Sequence, residues 1–99
     1  DLERLVEEAT VDANGESEQV CGFYTMLEDE LELPFNTAVL GADVTVERVD
    51  LTDDDHIVVV CRRGQKRQRL PILDLPLPEP PPQGWEWIEA YRHWAKWAR

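Results

Sequence analysis

A chain of 99 residues, 42% hydrophobic and 31% charged with four Trp, has the composition of one globular domain rather than of a disordered segment. Twenty-one Asp and Glu against ten Lys and Arg leave a formal net charge of −11, which repels nucleic-acid phosphate and anionic membrane and attracts cations or basic partners. No apolar run approaches the roughly 20 residues that cross a bilayer, and Asp1 to Asn14 is too acidic for a signal peptide, so a cytoplasmic location is expected.

From Leu2 to Leu33 apolar residues recur at helical steps: Leu2, Leu5, Val6 and Ala9, then Val20, Phe23 or Tyr24, Leu27 and Leu31. Two helices fit this spacing, broken around Asn14-Gly15, with Asn14 or Gly15 near the start of the second. Pro34 ends it, because proline lacks the N–H and disfavours helical geometry in the residue before it. Residues 35–75 turn β-branched and punctuated. Thr37 to Leu40, Asp43 to Val49, Ile57 to Arg63 and Lys66 to Leu73 are the predicted strands, with the third and fourth joined through Gly64-Gln65. Ile57-Val58-Val59-Val60 is apolar throughout, which marks a central strand buried on both faces.

Residues 75–83 hold five of the seven prolines and form an extended connector. Residues 84–99 resume helical spacing, with Ile88, Tyr91, Trp94 and Ala95 on one stripe and Glu89 placed to pair with Arg92 or His93. Trp87 and Trp97 either widen that stripe or lie outside it. The expected fold is a single α+β domain spanning residues 1–99. N-terminal helices and an aromatic C-terminal helix pack on a small four-stranded antiparallel sheet, curled or closing into an SH3-like partial barrel. Cys21 and Cys61 stand forty positions apart in no recognisable motif and read as reduced core thiols, with a single disulfide as the alternative.

The inventory for catalysis is thin. Ser17 is the only serine, the histidines are His56 and His93, and neither cysteine sits in a nucleophile motif, so no enzyme activity is expected. No Gly-rich loop precedes a Lys-Ser or Lys-Thr pair to cradle phosphate, and two Cys and two His at unrelated spacings lack the short ligand pairs of a zinc site.

Oxygen ligands are abundant. Calcium takes six to eight oxygens in flexible geometry, so carboxylates crowded on a loop or helix end supply several at once. Asp12, Asn14 and Glu16 alternate around a glycine; Glu28-Asp29-Glu30 with Glu32 closes the second helix; Asp50 and Asp53-Asp54-Asp55 crowd the loop between the second and third strands. None is an EF-hand: that template begun at Asp12 places Ser17 where its turn glycine belongs and Phe23 where its bidentate Glu belongs. Taken singly, each cluster reads as a solvated acidic loop or helix face. Together they repel one another unless a cation or salt compensates.

Val11-Asp12-Ala13, then Gly22-Phe23-Tyr24-Thr25-Met26-Leu27-Glu28-Asp29 followed by Leu31 and Leu33-Pro34-Phe35, resembles the opening of the CcbP-type calcium-binding proteins of bacteria. The acidic stretch Thr52 to His56, the strand-turn-strand Val60 to Leu73 and the closing Tyr91-Arg92-His93-Trp94-Ala95-Lys96 resemble later parts of the same family. Two features depart from it: Phe23-Tyr24-Thr25-Met26 is poorer in aromatics, and Ala90 stands where an acid is usual. The resemblance implies an acidic calcium-binding protein, a buffer or sensor, without enzyme activity.

The expected ligands of Ca2+ are Glu28, Asp29 and Glu32, with Asp12, Glu16, Asp50, Asp53, Asp54 and Asp55 in reach of the same or a second ion. The alternative is a non-catalytic protein-interaction module that uses an SH3-like sheet and the basic hairpin of residues 62–69. Arg62, Arg63, Lys66, Arg67 and Arg69 are five bases in nine residues without an acid, and setting those charges apart leaves −16 on the rest of the chain. Such a hairpin could grip an acidic protein partner, or simply offset the acidic face. It carries no aromatic on which bases would stack, so nucleic acid is not the expected partner.

Overall fold

The structure is a computed structural model and describes residues 1–98. Its elements in chain order are α1 (Leu2–Ala9), α2 (Glu16–Glu30), β1 (Phe35–Val39), β2 (Ala42–Leu51), β3 (Ile57–Arg63), β4 (Lys66–Pro71), a 3-10 turn (Ile72–Asp74) and α3 (Trp85–Ala98). The α+β expectation holds.

Asp1 caps α1 by accepting the Glu3 N–H at 3.0 Å, satisfying one of the donors that a helix start leaves free. The chain enters α2 through Gly15 at φ 96°, a conformation that costs other residues a Cβ clash. Where α1 and α2 meet, a Cβ on Gly22 would lie 2.0 Å from the Ala9 carbonyl oxygen, so only glycine permits this approach. Leu31 leaves the helix in extended geometry, three residues before Pro34, as the proline predicts.

The strands form one antiparallel sheet in the order β1-β2-β3-β4. It is open: β1 and β4 are its edges, and no pairing between them closes a barrel. Ile57 to Val60 lies in an interior strand, with Val59 opposite Val49 on one side and Leu70 on the other. Val58 and Val59 are both buried. Ile57, Val59 and Cys61 face the helices and join the core. Val58 and Val60 alternate to the opposite face, where the register sets Asp50, Arg48 and Arg69 beside them. The buried outer valines are thus flanked by long charged side chains, whose stems can cover apolar surface while their heads stay in water.

Several boundaries differ from the sequence reading. The first strand runs Phe35–Val39 instead of Thr37 to Leu40, because buried Phe35 pairs with Val46 while Leu40, at φ 51°, belongs to the turn with Gly41. The second strand extends to Leu51, so Asp50 is a strand residue and not a loop residue. The fourth stops at Pro71, which has no N–H to continue a ladder, and Ile72 turns into the core in the 3-10 segment. Only Cys61 is a core thiol; Cys21 lies on the exposed side of α2. Burial raises the Cys61 pKa, which keeps that thiol unreactive.

The predicted stripe Ile88, Tyr91, Trp94 and Ala95 is buried, Trp87 joins it and Trp97 does not. Phe23, Tyr91 and Trp94 form a three-ring cluster with centroids 5.5–5.9 Å apart, and the Trp94 indole N–H donates to Gln19 Oε1 at 2.9 Å. Arg92 ties the last helix to the chain that leads into it. Its guanidinium donates to the Ile72 carbonyl at 3.0 Å, to the Leu75 carbonyl and to Glu89 Oε1 at 2.8 Å. At the sheet edge, the Thr37 hydroxyl donates to the Pro76 carbonyl at 2.7 Å, which docks the proline connector on β1.

Candidate metal centre

Apart from Asp50, the acidic residues named from the sequence fall into two groups at opposite ends of α2. At about 1.5 Å per residue the helix is roughly 20 Å long, so no single ion reaches both ends.

The first group surrounds the start of α2. Asp12 lies in the turn between α1 and α2 at φ 61°, and Glu16 is the first helical residue. The Ser17 hydroxyl donates to Asp55 Oδ1 at 3.2 Å, across 38 positions, and so brings the β2–β3 loop, with Asp53 and Asp54, to this end. Thr52 closes that loop: its backbone N–H donates to the His56 carbonyl at 2.9 Å, and its hydroxyl accepts the His56 N–H at 3.1 Å. A helix N-terminus carries about half a positive charge, so carboxylates gathered here are partly compensated by the backbone itself.

The second group closes α2. Glu28, Asp29 and Glu30 are its last three residues, and no basic side chain occupies its last turn. Glu28 Oε2 accepts the Tyr24 hydroxyl at 2.9 Å, an i to i+4 contact along the helix. Glu32 sits just beyond, where its N–H donates to the Gln83 carbonyl at 2.8 Å and its Oε1 accepts the Gln83 N–H at 3.3 Å. Gly84 packs directly on the Glu30 carbonyl. Three carboxylates at the negative end of a helix repel both the dipole and one another. Their field is felt by Tyr24, whose phenol is held above its ordinary value of 10.0, first by burial and then by the Glu28 carboxylate.

Asp50 belongs to neither group. Its carboxylate accepts from Arg69 and lies 3.7 Å from Arg48. The basic hairpin is similarly engaged: Glu47, the extra residue of a β-bulge in β2, accepts Arg67 Nε at 2.8 Å and Arg62 Nε at 3.0 Å. That contact with Arg67 holds the Glu47 carboxyl below the usual carboxylate range, with Arg62 adding to it and partial desolvation opposing. Arg62, Arg67 and Arg69 therefore face carboxylates of their own sheet. Arg63 and Lys66 at the hairpin end form no ion pair among the described residues.

Among the described residues, no group of three or more His, Cys, Asp and Glu side chains is drawn together closely enough to hold a metal ion. The donors nevertheless suit calcium rather than zinc or copper, being carboxylate oxygens on a helix end and a loop, and calcium tolerates variable coordination number and geometry. Sequence spacing could have exposed the Tyr24 and Glu28 pair. The contacts of Ser17 with Asp55 and of Gln83 with Glu32 join segments 38 and 51 positions apart, and no local pattern announces them.

A family model described as calcium binding matches residues 3–95, nearly the whole chain. No curated protein and no solved structure matches it.

Proposed function

Because the chain belongs to the CcbP family of calcium-binding proteins, we propose that it holds Ca2+ at the C-terminal turn of α2, with Glu28, Asp29 and Glu32 as carboxylate ligands. The observation that carries this reading is the charge balance of that turn: Glu28, Asp29 and Glu30 end the helix with no base among them. A cation placed there is attracted by the carboxylates and by the helix terminus together, the latter adding about 0.3–1 kcal/mol. Asp12, Glu16, Asp53, Asp54 and Asp55 make a weaker second site, since the opposite end of the dipole already favours their charge and would oppose a cation. Asp50 supplies no ligand in this reading, because Arg69 and Arg48 take up its carboxylate.

The role is that of a calcium buffer or sensor without catalysis. The free thiols of Cys21 and Cys61 suit a reducing cytoplasm. Calcium titration of thermal stability tests the proposal. At a hundredfold excess over Kd a site on the folded chain adds about 2.7 kcal/mol, whereas sodium chloride of equal ionic strength only screens repulsion. Magnesium should act less, because it demands tighter octahedral geometry and retains its waters. Replacing Glu28, Asp29 and Glu32 together by Gln, Asn and Gln should abolish the calcium response, and replacing Asp53, Asp54 and Asp55 by Asn should leave most of it. The reverse pattern would move the principal site to the start of α2. A parent protein that responds no more to calcium than to sodium chloride would sink the calcium reading altogether.

A further inference from the structure

We propose that the groove between α1 and α3 docks a cationic amphipathic helix of a partner protein. This inference is independent of where, or whether, calcium binds.

The groove has a cavity of about 600 Å3 whose apolar lining includes Val6, Trp94 and Ala98. Trp97 forms a wall and is 75% exposed, an unusual state for the largest apolar side chain. Glu3 and Glu7 stand on the α1 rim one helical turn apart, and neither forms an ion pair among the described residues. His93 lines the α3 side. An apolar lining beside two carboxylates a turn apart matches a helix with an apolar stripe flanked by Lys or Arg.

Net charge favours that occupant over an acidic or neutral one, and the length of α1 suits a helix. The whole chain carries a net charge of −11, so long-range attraction and local complementarity have the same sign. The groove also runs beside α1, whose eight residues extend about 12 Å, which fits two turns of a third helix with anchors at i, i+3 or i+4, and i+7.

The test uses a synthetic helical peptide of Leu and Lys with Leu on one stripe, and a second peptide of identical composition with that stripe scrambled. Titration into the intact protein at physiological salt should shift the tryptophan emission to the blue and saturate at one peptide per chain. The scrambled peptide should bind at least tenfold more weakly. Trp97→Ala, and separately Glu3→Gln with Glu7→Gln, should each weaken the striped peptide at least tenfold. The indole N–H resonance of Trp97 in the parent protein should move on binding, which gives a readout that needs no variant. Equal binding of both peptides, or variants with unchanged affinity, would show attraction to a diffuse acidic surface and overturn the proposal. Sedimentation showing a dimer that Trp97→Ala dissociates would also overturn it, by making the groove an interface between copies of this chain.

Discussion

A Cβ on Gly84 would lie 2.2 Å from the carbonyl oxygen of Glu30 and 2.8 Å from the Cα of Leu31. The entry to α3 is therefore seated against the last turn of α2, and the backbone that carries Glu28, Asp29 and Glu32 is braced from a segment some fifty positions away. Gly84 also sits at φ 87°, which a side chain would strain independently of the clash.

Gly84→Ala is expected to lower stability by about 2–4 kcal/mol, combining backbone strain with the forced separation of two packed segments. Urea unfolding monitored by circular dichroism measures this loss. A midpoint equal to that of the parent would mean that the two segments are not in close contact.

Trp94 and Trp97 lie three positions apart on α3 and should respond oppositely to truncation. Trp94 is 7% exposed, stacks with Tyr91 and donates to Gln19, so Trp94→Ala should cost about 3–5 kcal/mol. Trp97 is 75% exposed, and Trp97→Ala should change stability by no more than about 0.5 kcal/mol. Thermal melts of the two variants decide it; equal losses would contradict the orientation of α3.

Tyr24 offers an optical report on calcium at the end of α2. Its folded pKa is raised by burial and by Glu28, so the stability it contributes is present below its unfolded value of 10.0 and is lost as pH rises through the folded value. Calcium bound by Glu28 removes much of the carboxylate field, and should shift the ionisation of Tyr24 downward in an ultraviolet absorbance titration. An unchanged midpoint with calcium saturating the protein would place the ion away from Glu28.

Glu47 contributes to stability on the acid side. Its folded pKa is lowered by Arg67 and Arg62, so its contribution is present above the unfolded value and disappears as pH falls through the lower folded value. Carbon-detected NMR titration should find the Glu47 carboxyl below its ordinary value. Arg67→Gln should raise it, and high salt should do the same more weakly because these side chains are exposed to solvent. A Glu47 that titrates at its ordinary value would show that the pairing does not persist in solution.

Hydrophobic spacing settled which segments are helices and strands. Val20, Phe23, Leu27, Ile88, Tyr91 and Trp94 stand at helical intervals, and burial of one side of each helix follows from that period alone. Ile57 to Val60 likewise had no polar residue to give to water, so an interior strand was the only consistent placement. The abundance of carboxylates was equally legible, because oxygen donors are a matter of composition.

What the chain order concealed is which acids share a place. Only tertiary packing could carry Asp55 to Ser17, pair Asp50 with Arg69 on the sheet and lay Gln83 beside Glu32, since each contact joins residues 19 to 51 positions apart. Electrostatic fields act through space and depend on helix ends, on neighbouring strands and on exposure. A run of acids therefore announces a charge to be compensated, while the folded chain decides whether an arginine, a helix terminus or a bound cation compensates it.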